Sequence, residues 1–178
     1  MRILVGHTHV GPDYGISGFE RWASRLRAFG FHVEVFPLVL GVNRPVVYFD
    51  ELNILWRYKD RTLMKLYEKL QRKLSNFDVF VCYNGANIHP DFVQTLEQVT
   101  VYGCFDDPES SDKLSRPVVK AFDIAMVGNI AAVDTYKAWG VENVHWWPLG
   151  YRVEDYDSTL TESKILSCQR DESVVLLC

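Results

Sequence analysis

The 178 residues are 48% hydrophobic and 24% charged, the balance of a chain that folds around a core rather than a disordered or fibrous one. Nineteen lysines and arginines against twenty-three aspartates and glutamates give a formal net charge of -4, which leaves no broad cationic footprint for nucleic acid. The most apolar stretch, around residues 33–42, is broken by Glu34, Pro37 and Gly41 and falls short of the roughly 20 residues of a membrane span.

The opening residues, Met1-Arg2-Ile3-Leu4-Val5-Gly6, lack the apolar region of a signal peptide, so the expected location is cytoplasmic and residues 2–6 read as a first strand. A glycine-rich loop then leads to Ser17, which with Glu20 three places later predicts a capping box for a helix over 18–29, closed by Gly30 as a left-handed cap. A second strand over 31–36 ends at Pro37, and the stretch through Asp50 has no clear period. Asp60 predicts the cap of a helix to about residue 74, in which Leu63, Leu66, Tyr67, Leu70 and Leu74 form one apolar stripe beneath a basic, solvated face.

Residues 78–83 form a continuous apolar run of the kind found in central parallel strands, followed by the loop Asn84-Gly85-Ala86-Asn87-Ile88-His89 and a helix started by Pro90. Strands over 99–105, 123–127 and 144–147 alternate with short helices near 117–121 and over 131–139, the latter stopped by Gly140. Six strands alternating with helices predict an α/β fold: a Rossmann-like parallel sheet with helices on both faces. A polar segment over 154–172 and a fresh apolar run over 173–178 predict a first domain at 1–156, then a linker and the first strand of a second domain at 157–178.

Chemistry is expected in the loops after the strands, because open parallel sheets bind ligands beyond their carboxyl ends. The first loop holds His7, His9, Asp13 and four glycines ahead of a helix N-terminus, where an anionic group is favoured. Its glycines, Gly6, Gly11, Gly15 and Gly18, lack the spacing of a dinucleotide fingerprint, and it has no P-loop lysine. His7 or His9 can serve as a general base near neutral pH or can brace a neighbouring loop. Asp106, Asp107 and Glu109 follow the fourth strand and can accept from sugar hydroxyls or orient a base, although Asp106 before Pro108 also fits a turn. Asn84 and Asn87 are open to the same two readings, and His89 reads as a helix cap rather than a catalyst. Trp146 and Trp147 read as a core and rim pair. Cys82, Cys104, Cys168 and Cys178 form no CxxC pair and no zinc-like spacing, and the first two read as buried small hydrophobes.

The stretches Phe122-Asp123-Ile124-Ala125-Met126-Val127-Gly128-Asn129, Tyr136-Lys137-Ala138-Trp139-Gly140-Val141 and Val144-His145-Trp146-Trp147-Pro148-Leu149-Gly150 together resemble the close of the N-terminal half of GT-B glycosyltransferases. Asp106-Asp107-Pro108-Glu109-Ser110 after an aromatic-rich strand resembles their spore-maturation-protein (CgeB-like) branch. The resemblance implies the acceptor-side lobe of a transferase that uses a nucleotide-sugar donor and no metal or other cofactor, with the donor lobe missing from this chain. It also implies a catalytic residue at His7 or His9, and Gly15 and Gly18 near the donor phosphates, with Ser17 between them counted among the substrate-binding candidates. Leu149-Gly150-Tyr151-Arg152 departs from the family's Asn-Gly-Val-Asp, so no role tied to that asparagine or aspartate transfers. The alternative expectation is a stand-alone Rossmann-like or flavodoxin-like domain that binds a small ligand or partner without catalysis.

Overall fold

A computed structural model describes residues 1–8, 15–41, 46–85, 87–105, 107, 111–148 and 163, with backbone alone for 15–19 and 21. The chain divides into two units, Met1–Pro148 and Leu149–Cys178. In the second only Ser163 is described, so the expected strand over 173–178 lies outside the described residues.

The first unit is built on six parallel strands: β1 (Arg2–His7), β2 (His32–Pro37), β3 (Val79–Tyr83), β4 (Val99–Cys104), β5 (Ile124–Val127) and β6 (Val144–Trp146). Their spatial order is β2-β1-β3-β4-β5-β6, as expected of a Rossmann-like α/β sheet. Side chains alternate across a strand, so each buries two different neighbourhoods. Ile3 and Val5 meet Ala23, Trp22 and Leu26 of helix α1 (Gly15–Ala28) on one face. Leu4, Phe80, Cys82, Tyr102 and Val127 meet the remaining helices on the other. These are α2 (Phe49–Arg57), α3 (Arg61–Leu74), α4 (Pro90–Val93) and α5 (Ile130–Ala138). The chain passes from β1 outward to β2, then back across β1 to β3, and this reversal puts α1 and α3 on opposite faces.

Local chemistry accounts for most helix limits. Asp60 Oδ1 accepts from the N–H groups of Thr62 and Leu63 at 2.9 and 3.0 Å, and the five residues of the α3 stripe are buried as the period requires. Gly30 (φ 86°) and Gly140 (φ 85°) close α1 and α5 in the left-handed region. Asn129 caps α5 through Ala131 N–H at 3.0 Å. Asp123 Oδ2 accepts from the N–H and hydroxyl of Thr100 at 2.7 and 2.8 Å, tying the start of β5 to β4.

Three expectations need correction. Helix α1 begins at Gly15, so Ser17 lies within its first turn and does not form the capping box; Glu20 instead ion-pairs with Arg27. Helix α2 falls partly in the stretch read as irregular; it is short, and its Leu52 and Trp56 carry the inward face. The helix expected near 117–121 is a π-helical turn, Ser111–Ser115, followed by a 3-10 turn, Val119–Ala121.

The segment after β3 is the most constrained part of the unit. Asn84, Gly85 and Asn87 have φ of 59°, 61° and 59°, a left-handed path that asparagine and glycine tolerate best. Gly85 has no alternative, since a Cβ there would stand 2.5 Å from the Tyr102 ring. Asn87 is fully buried; its Nδ2 donates to Leu38 O at 2.6 Å and its Oδ1 accepts from Val47 N–H at 2.7 Å. The Tyr67 hydroxyl donates to Asn87 O at 3.0 Å and accepts from His89 N–H at 2.8 Å. Asn87→Ala would leave two buried backbone groups unpaired and force alanine to a positive φ. Each unpaired group costs about 1–3 kcal/mol, so urea unfolding should show a loss of about 3 kcal/mol or more, with Asn87→Gly recovering only the backbone part.

Candidate functional site

The strand order reverses between β1 and β3, and the crevice beyond their carboxyl ends is where sheets of this kind hold ligands. Three described segments border it: the end of β1 with His7 and Thr8, the loop after β3, and the start of the loop after β4. His7 pairs in register with Pro37, and its carbonyl accepts from Leu38 N–H at 2.6 Å. The residue is 6% exposed. Gly6 beneath it sits where a Cβ would press on Leu38, 2.6 Å from its Cδ1.

Beyond β4, Asp107 is only 5% exposed. Its Oδ2 accepts the hydroxyl proton of Tyr136, which stands fully buried in the middle of α5. Oδ1 is also buried and has no hydrogen-bond donor among the described residues. Tyr102 lies next to this pair; its hydroxyl is 2.7 Å from Ser115 Oγ and 3.3 Å from Asn84 O, and Ser115 Oγ is 3.8 Å from Cys104 Sγ. Burial pushes both tyrosine hydroxyls well above their ordinary range, so both remain protonated donors. Tyr136 therefore fixes one oxygen of Asp107 while the other is left as a buried acceptor. Sequence reading missed Tyr136, Tyr102 and Ser115, whose apolar surroundings make them look like core; a tyrosine at full burial is the one available signal, because its hydroxyl needs a partner.

The other expected site residues divide clearly. His9, Asp106 and Glu109 lie outside the described residues. Gly15 and Gly18 are helical, Gly15 at the first position of α1, and Ser17 is inside that helix. Asn84 stands at the exit of β3, its N–H bonded to Gly103 O at 2.7 Å. Asn87 braces the segments after β2 and β3, so its amide is committed to the fold. Cys82 and Cys104 are buried, and burial pushes the Cys82 thiol up to about 12, which keeps it an inert thiol. Trp146 is 51% exposed, while Trp147 packs against Phe105 and Trp22 at ring separations of 5.1 and 5.8 Å. Among the described residues no group of three or more histidine, cysteine or acidic side chains is placed to hold a metal, and no helix is long and apolar enough to cross a membrane.

His89 caps α4, as its place before Pro90 predicts. Nδ1 accepts from Asp91 N–H at 3.2 Å, and the ring lies between Trp56 and Phe49 at 4.9 and 5.8 Å. An accepting Nδ1 places the proton on Nε2, which is 3.5 Å from Asn53 Oδ1. Burial lowers the His89 pKa from its ordinary 6.5, with Asp91 opposing and Lys59 assisting.

No family model matches the chain, and no curated protein matches it significantly.

The His89 environment sets a pH dependence. Its folded pKa is depressed, so the unfolded chain takes up the proton first as pH falls below about 6.5. Its contribution to stability is complete above that pH and declines below it. Urea midpoints measured from pH 7.5 to 5.5 should fall, and His89→Asn, a capping residue that does not titrate, should flatten the decline.

Proposed function

We propose that this chain forms the acceptor-side lobe of a GT-B glycosyltransferase that moves a sugar from a nucleotide-sugar donor to an acceptor hydroxyl. The observation that carries the reading is Asp107 Oδ1, a buried acceptor at the carboxyl rim of a parallel sheet with its partner oxygen held by Tyr136. A carboxylate oxygen in that position suits a neutral hydroxyl donor and disfavours an anionic ligand. His7 ends β1, two strand spacings from the end of β4, or about 10 Å across the sheet.

In this reading His7 takes the proton of the acceptor hydroxyl as its oxygen attacks the anomeric carbon. The bond from that carbon to the diphosphate oxygen breaks, and the nucleoside diphosphate leaves with the bonding electrons. The donor lobe supplies the diphosphate contacts, so residues 1–178 should bind UDP- and GDP-sugars weakly. Tight stoichiometric binding in calorimetry would contradict this division of labour.

In the full gene product, nucleoside diphosphate release from UDP- and GDP-sugars is the assay. His7→Ala should lower turnover about 10²-fold or more, as loss of a general base does. Asp107→Asn, which can still accept from Tyr136, should mainly raise the acceptor KM. Wild-type kinetics in both variants would remove the rim from the mechanism. A gene product that binds a sugar or polyol through Asp107 without turnover would support the binding-domain reading instead.

A further inference from the structure

The outward side of α3 carries a concentration of positive charge at odds with the acidic chain around it. Arg61, Lys65, Lys69 and Arg72 are all exposed. At about 100° per residue they fall on one strip of the helix about 17 Å long. Glu68 is the one acid on that strip, and it pairs with Arg72 at 3.5 Å. Asp60, at the head of the helix, is engaged as its cap. Lys73, at the side, ion-pairs with Glu34 of β2 and holds that carboxyl below its usual range. Arg61, Lys65 and Lys69 have no acidic partner within ion-pair distance among the described residues.

At the α2–α3 junction, just ahead of the helix, Arg57 and Lys59 are exposed on either side of Tyr58, with Lys59 Nζ 4.0 Å over the Trp56 ring. Tyr58 is 83% exposed and Ile54, one turn earlier on α2, 55%. Basic side chains with an amphipathic aromatic and an aliphatic residue at one end are the composition of a surface that rests on an anionic bilayer: cations meet the headgroups while the ring and Ile54 enter the interface. A nucleic-acid backbone would use the cations but gain nothing from Ile54.

We infer that the Arg61–Lys65–Lys69 face of α3, with Tyr58 and Ile54 at its head, docks this protein peripherally on membranes of anionic lipid. The inference is independent of the transferase reading. It is tested by sedimentation of the full chain with vesicles of phosphatidylglycerol and phosphatidylcholine, compared with phosphatidylcholine alone. Binding should require the anionic lipid and weaken steeply between 0.05 and 0.5 M salt, roughly the range over which screening becomes complete. Each basic residue at such a surface contributes about fivefold in partitioning. K65Q/K69Q should therefore reduce binding about 25-fold and K65E/K69E by more, with thermal unfolding unchanged for both because the positions are exposed. Salt-insensitive binding, equal binding to neutral vesicles, or wild-type binding by a folded K65E/K69E would overturn the proposal. So would absence of vesicle binding together with tight, K65E/K69E-sensitive binding to a short RNA duplex, which would assign the face to nucleic acid.

Discussion

The architecture of the rim rests on a single buried amide. Asn87 joins the segment leaving β2, through Leu38 and Val47, to the segment leaving β3, and Tyr67 of α3 clamps the same turn from below. Backbone in a left-handed path with its polar groups inside the protein is unfavourable unless every neighbour agrees on one conformation. Here the neighbours do agree: Tyr102 fills the space a side chain at position 85 would need, and His89 finishes the turn by capping α4. The floor of the crevice between β1 and β3 is consequently set before any ligand arrives.

This preorganisation gives meaning to the groups along the rim. His7 and Asp107 are both nearly excluded from solvent, and each is held from behind, His7 by main-chain pairing with the β2 exit and Asp107 by Tyr136. Asp107 has one oxygen engaged by Tyr136 and, among the described residues, no donor to the other, an arrangement that costs a fold stability unless something else satisfies it. On the reading proposed above, that rim is where a hydroxyl-bearing acceptor would meet His7 and Asp107.

Much of the fold was legible because it follows from periodicity and punctuation. Asp60, Gly30, Pro90 and Gly140 mark helix ends through interactions confined to a few neighbouring residues, and the α3 stripe is a direct consequence of 3.6 residues per turn. Helix α2 escaped because its nine residues are too short for a clear period and no side chain caps its start at Tyr48. Ser17 misled for a related reason: a capping box is a local preference, and the helix extended past it to Gly15. In the site, His89 was read correctly from the proline beside it. The roles of Asn87 and Asp107 were not readable, because their partners lie 40 and 49 residues away for the first and 29 for the second. Only the fold brings those groups together.

The claim that the crevice floor is preset is tested most directly by amide hydrogen exchange in the ligand-free chain. The N–H groups of Leu38, Val47 and His89 bond to His7 O, Asn87 Oδ1 and the Tyr67 hydroxyl. If the clamp holds as described, these three exchange as slowly as the central amides of β1 and β3, through global unfolding alone. Rapid exchange at all three while β1 and β3 stay protected would show a floor that forms only on binding, and would contradict the account.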